Sequence, residues 1–161
     1  MIWRGNPSWR VFAQSDGMEV LTPNDGDNHD LAIYTIPGNS LKPNAKLRIR
    51  AKWSAPPGNS GNVGVGALIG AHVARPYFSA LAANATLVLE HEMALDNSLT
   101  SQTATANNSF IRVNTAAAAT QPQTGALVDF TADVVIALRY VTVTSGDTVS
   151  LHEWYFEVMQ G

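Results

Sequence analysis

Residues 46 to 53 read KLRIRAKW, and their alternation has no fault. Leu47, Ile49, Ala51 and Trp53 fall on one side; Lys46, Arg48, Arg50 and Lys52 fall on the other. That is the period of an extended strand with one face in a core and one outside it, and a helix would scatter both sets around its circumference. The same period recurs along the chain. TLVLEHEMAL (86–95) separates Leu87, Leu89, His91, Met93 and Leu95 from Val88, Glu90 and Glu92. TVSLHEWYFEVM (148–159) separates His152, Trp154, Phe156 and Val158 from Leu151, Glu153, Tyr155 and Glu157. DVVIALRYVTV (133–143) is β-branched and nearly continuous, which predicts a strand covered on both faces. Shorter strands are predicted at Trp9–Ala13, Leu31–Ile36, Val63–Ile69, Pro76–Leu81 and Phe110–Thr115.

Turn residues punctuate these runs. Pro56-Pro57-Gly58-Asn59-Ser60-Gly61 must be a loop, and Ser145-Gly146-Asp147 predicts a tight hairpin between the last two strands. Pro37-Gly38-Asn39-Ser40 and Pro43-Asn44 interrupt the chain ahead of the basic strand. No stretch carries a capped apolar stripe of helical period. Ala116–Ala119 has the composition for one helical turn, stopped by Thr120 and Pro122. Residues 98–125, mostly Ser, Thr, Ala, Asn and Gln, read as an extended excursion with one or two weak strands. Residues 1–30 are turn-rich and read as an irregular N-terminal arm, leaving 31–161 as a single domain. Many short strands without helices between them predict an all-β, antiparallel, jelly-roll-like sandwich.

With 161 residues the chain can bury a proper core as one domain. Charged residues are only 14%, well below the roughly 25% of an average soluble domain. A low-charge surface fits a protein covered by copies of itself or by a partner, and equally a secreted β-protein. The uncharged stretches are broken by Pro, Gly, Asn and Thr, so no helical membrane span is expected. No cysteine is present, which removes disulfides, thiol nucleophiles and thiolate metal sites. Arginines stand where a secretory leader needs an apolar run, so synthesis in the cytoplasm is expected. A net charge of −3 argues against a dedicated nucleic-acid binder.

Candidate chemistry is sparse. His29, His72, His91 and His152 lie in separate segments, and no helix carries paired metal ligands. Asp25-Gly26-Asp27-Asn28-His29-Asp30 has the composition of a calcium loop, but its glycine is misplaced and Ile36 stands where the closing carboxylate belongs; Asx turns account for it. Gly64-x-Gly66-x-x-x-Gly70 lies within a strand and is no nucleotide fingerprint. Neither metal nor cofactor is expected. Glu90/Glu92 and Glu153/Glu157 are same-face carboxylate pairs, as a glycosidase requires, but they also suit a second purpose. A sheet that sets Lys46, Arg48, Arg50 and Lys52 beside either acidic strand resolves both clusters; without such a neighbour, the cations face a partner chain. The first arrangement is the one expected. Exposed aromatics are the usual platform of a sugar-binding module, and Trp53, Trp154, Tyr155 and Phe156 are candidates, but Trp53 and Trp154 fall on apolar faces and read as core. Trp3 and Trp9, each beside an arginine (Arg4, Arg10), read as anchors for a groove on a partner or as side chains packed back on the parent domain.

Residues 36–161 carry a further pattern: Leu47-Arg48-Ile49 with Ala51 and Trp53, a strand of alternating small residues, a Thr/Ala/Asn-rich middle, then Asp133–Val143, Ser145-Gly146-Asp147-Thr148 and Leu151–Val158. This pattern resembles a β-sandwich domain recurrent in virion proteins of tailed bacteriophages. The resemblance implies a jelly-roll-like fold, commonly trimeric, serving as a head decoration (cement) protein or as a module of tail fibres and spikes. A short chain beginning at its own Met1 fits a stand-alone decoration protein. The expectation is therefore a non-enzymatic homotrimer on the outer surface of the phage head, bridging major capsid subunits, with Trp3, Arg4, Trp9 and Arg10 as a capsid-gripping arm. The alternative is a tail module binding host-surface glycan.

Overall fold

The computed structural model describes residues 8–15, 17–21, 27–59, 63–70, 72–74, 84–103, 109–113, 116–118, 124–125, 128–142 and 146–160. Among these there is no helix. The strands are β1 (Arg10–Gln14), β2 (Glu19–Leu21), β3 (His29–Ile36), β4 (Lys46–Ser54), β5 (Val63–Ile69), β6 (His72–Ala74) and β7 (Thr86–Leu95). There follow β8 (Gln102–Thr103), β9 (Ser109–Val113), β10 (Ala116–Ala118), β11 (Thr124–Gly125), β12 (Val134–Thr142) and β13 (Val149–Met159).

They form two antiparallel sheets. The larger runs β1-β13-β4-β7-β9-β10, with β2 also on β13 and β8 on β7; the smaller runs β11-β6-β5-β12-β3. Apolar side chains from both fill the space between them. Leu47, Ile49, Ala51 and Trp53 of β4 meet Leu87, Leu89 and Met93 of β7, Phe156 and Val158 of β13, and Val63, Val65, Ile69, Ile136 and Leu138 of the smaller sheet. Each large aliphatic or aromatic side chain so buried contributes about 1.5–3 kcal/mol. The alternation of β4 is thus the imprint of a strand with one face in this core.

Several expectations change. Residues 133–158 do not form a hairpin. β12 has β5 and β3 on its two edges and β13 has β4 and the β1/β2 pair, so neither has a free edge for the other and the chain crosses between sheets. Asn59 fastens that crossing: its Nδ2 donates to Thr148 O at 2.6 Å and its Oδ1 accepts from Thr148 N at 3.2 Å, in place of a strand neighbour. Ala116–Ala118 is a strand on β9, not a helical turn; lateral pairing decides a segment that propensity leaves ambiguous. The stretch 1–30 is not wholly an arm, since β1 and β2 pair with β13 and β3 already begins at His29. Pro76–Leu81 lies outside the described residues.

β13 also departs from strict alternation. Its register shifts between Leu151 and Glu153, leaving His152 as an extra residue. Leu151 therefore points into the core, opposite Trp53, while His152 turns to the other side and pairs its Nε2 with Ser54 Oγ at 2.7 Å. The faces assigned to these two residues by alternation are reversed.

The turn before β4 is closed against the turn before β12. Gly38 N donates to Asp133 Oδ1 at 2.8 Å and Asn39 N to Phe130 O at 2.8 Å. A Cβ on residue 38 would lie 2.5 Å from Thr131 O, so only glycine permits this approach.

Candidate functional site

The basic strand lies between both acidic strands. On the outer face of the large sheet, Arg48 stands opposite Glu157 of β13 and Glu92 of β7, Arg50 opposite Tyr155 and Glu90, and Lys52 opposite Glu153. Arg48 Nη2 is 3.4 Å from Glu92 Oε2 and its Nη1 is 3.6 Å from Glu157 Oε2; Arg50 Nε is 3.9 Å from Glu90 Oε2. Arg48, Arg50 and Lys52 thus stand beside carboxylates of both acidic strands, whereas Lys46 stands opposite Ala94 and Met159. Each such pair contributes roughly 0.2–1 kcal/mol, so the arrangement sets register more than stability: a one-residue slip of β4 would turn four cations into the core.

Trp9 belongs to this face. The Arg48 guanidinium lies over its ring, 3.9 Å from the centroid, a contact worth about 0.5–1 kcal/mol where partly exposed. Trp9 is therefore half-buried against its own domain. Arg10 is in β1, opposite Val158. Trp3 and Arg4 lie outside the described residues.

Tyr155 donates its hydroxyl hydrogen to Glu153 Oε2 at 3.0 Å. That hydrogen bond, and after it the charge of Glu153, raises the phenol above its ordinary value. Between the strands lies an open groove of about 290 Å³, with Gln14 of β1, Tyr155 and Glu157 of β13, Arg48 and Arg50 of β4, and Glu90 of β7 in its lining. Sequence reasoning singled out Tyr155 as an aromatic but missed Gln14. Gln14 meets Tyr155 only because β1 pairs with β13, a juxtaposition across most of the chain that no local signal announces.

The remaining candidates disperse. His91 is fully buried in β7 opposite Ile49, His29 stacks on Tyr140 with ring centroids 5.5 Å apart, and His152 is with Ser54; the side chain of His72 lies outside the description. Asp30 of the oxygen-rich loop is held by Arg139 in a fork, 2.6 Å from Nε and 2.8 Å from Nη2, an ion pair across β3 and β12; Asp25 and Gly26 lie outside the described residues. Among the described residues no three His, Asp or Glu side chains are grouped to hold a metal ion. Of the same-face carboxylates, Glu90, Glu92 and Glu157 each lie beside an arginine and Glu153 accepts from Tyr155.

No protein-family model matches the chain, and no curated protein matches it. Solved structures similar to it include peanut lectin with a 9mer peptide, at 10% identity over 98% of this chain and 94% of that one, with a TM-score of 0.49. The potassium-bound carbohydrate recognition domain of Emp46p is similar at 12% identity over 92% and 87%, TM-score 0.45. The legume lectin-like domain from Entamoeba histolytica is similar at 9% identity over 92% and 88%, TM-score 0.45.

Proposed function

We propose that this chain is a non-enzymatic structural protein of a tailed-phage particle, a homotrimer on the outer surface of the head that bridges major capsid subunits. The observation that carries the assembly part is the N-terminal edge of the large sheet. β1 ends the strand order and β2 lies beside it on β13. Along this edge Val11, Phe12, Met18 and Val20 are all exposed, Val20 by 58% and Phe12 by 43%. An edge that presents unpaired backbone groups together with apolar side chains is an aggregation hazard in a free monomer, and natural sheets usually blunt such edges with charge or proline. Copies or a partner covering it would remove the hazard. The particle itself is supplied by the sequence resemblance over residues 36–161, and the low charge of the chain agrees with a surface that is largely covered.

Because residues 10–14 are a strand of the sheet, point changes test this better than truncation. Native mass by light scattering, at low and high salt, is expected to give a salt-resistant trimer. Phe12→Lys with Val20→Lys is expected to return it to a monomer with an unchanged far-ultraviolet spectrum and to abolish binding to emptied phage heads. A wild-type monomer that binds no heads would sink the reading.

A further inference from the structure

The groove on the outer face of the large sheet has a use beyond the assembly reading, with which it shares Val11 of β1. Four charged groups line it, Arg48 and Arg50 against Glu90 and Glu157, so its lining sums to no net charge. An incoming anion would gain at each arginine about what it loses at the neighbouring carboxylate, and a cation fares no better. The pairs are also slack. At 3.4, 3.6 and 3.9 Å they are longer than the roughly 2.7–2.9 Å of a charge-assisted hydrogen bond, and Arg50 is about half exposed. Guanidinium N–H groups and carboxylate lone pairs thus keep unused capacity in alternation. A hydroxyl group both accepts and donates, so it can bridge a guanidinium and a carboxylate that do not reach one another.

Apolar surface accompanies these groups. Tyr155 is held along β13 by its hydrogen bond to Glu153, and Val11 flanks the groove on the β1 side. A ring fixed in this way suits the C–H face of a sugar, and the Gln14 amide adds one more donor and acceptor. The volume of about 290 Å³ is at the bottom of the range for small-molecule sites, room for one ring of a chain that continues into solvent. We propose that this groove binds a neutral saccharide, one pyranose unit bridging Arg50 and Glu90 through its hydroxyls with Tyr155 beneath it.

The test is a titration of the full-length, 15N-labelled protein with methyl glycosides of glucose, galactose, mannose, rhamnose and N-acetylglucosamine. Glucuronic acid and inorganic phosphate serve as charged comparators. At least one neutral glycoside is expected to shift the amides of Gln14, Arg50, Glu90 and Tyr155, and to bind more tightly than either comparator. Arg50→Ala and Glu90→Gln are each expected to weaken it about tenfold, and Lys46→Ala, outside the groove on the same strand, to leave it unchanged. Because Arg50 is half exposed, Arg50→Ala should melt like the wild type, and Glu90→Gln is an isosteric second variant. The proposal is overturned by shifts that map elsewhere, by tighter binding of glucuronate or phosphate, or by no shift with any neutral glycoside.

Discussion

β4 and β12 are each flanked on both sides in their own sheets, yet they treat their outer faces in opposite ways. Both put apolar side chains into the shared core, Leu47 through Trp53 from one and Val134, Ile136 and Leu138 from the other. Outside, β4 presents four cations, of which Arg48, Arg50 and Lys52 stand opposite carboxylates of β7 and β13 and Lys46 opposite Ala94 and Met159. β12 presents Val135, Ala137, Arg139 and Val141, of which Ala137 and Val141 are buried although they lie outside the core cluster. The adjacent β5 does likewise with Gly64, Gly66 and Leu68, all buried. The difference teaches how to read strands of a sandwich: strict alternation marks a sheet whose back meets water, and a run of small and apolar residues marks one whose back is covered in part, here over Ala137 and Val141 while Val135 stays 46% exposed.

Substitutions can break or sharpen that contrast. On the shared inner face it should vanish, so Trp53→Ala and Leu138→Ala are both expected to be severe, about 3–5 and 2–5 kcal/mol by urea denaturation. Outside, it should be large. Ala137→Asp buries an unpaired charge and is expected to cost on the order of 3 kcal/mol, whereas Arg50→Ala should cost under about 0.5 kcal/mol; a mild Ala137→Asp would refute the covered outer face. Arg48→Ala is intermediate, about 1 kcal/mol, because it removes two carboxylate contacts and the Trp9 stack together. That loss should shrink in high salt, while the Leu138→Ala cost should not.

The smallest effect is a titration. Glu153 holds the Tyr155 phenol above its ordinary value of 10.0, first by accepting its hydrogen bond and then by charge. A group raised in the folded state stabilises it below its unfolded pKa, and that contribution is lost as pH rises through the folded value. Glu153→Gln should therefore lower the Tyr155 transition in an ultraviolet absorbance titration and remove the matching alkaline decline in stability. A transition that stays in place would detach Tyr155 from Glu153.

Where the local pattern carried long-range consequences, the sequence was legible. β5 was expected at Val63–Ile69 and is found there; β4 and β7 agree almost to the residue because nine or ten residues of alternation admit one orientation to a core. The candidate site was legible by half. Arg48, Arg50, Glu90 and Glu157 stood out as charges on strand faces, and the pairing of opposite signs followed from Coulomb's law. Gln14 did not, since nothing near it in the chain indicates that Tyr155 is its neighbour. Trp9 illustrates the same limit: its amphipathic ring suited a partner or the parent domain equally, and only the structure places Arg48 over it.

Period alone determined that the chain folds as strands, which side chains of β4 and β7 enter the core, and that the four cations stand together outside it. It could not determine order. Whether β12 pairs with β13 depends on which edges are still free once every other strand is placed, and those edges are already occupied by β3, β5, β4, β1 and β2. Whether Leu151 or His152 faces inward depends on one extra residue taken up by a bulge, which Ser54 and Trp53 on the neighbouring strand reward from either side. Burial preferences act on each residue separately and so are written locally; hydrogen-bonded partnership is a choice among all strands at once, and only the assembled sandwich makes it.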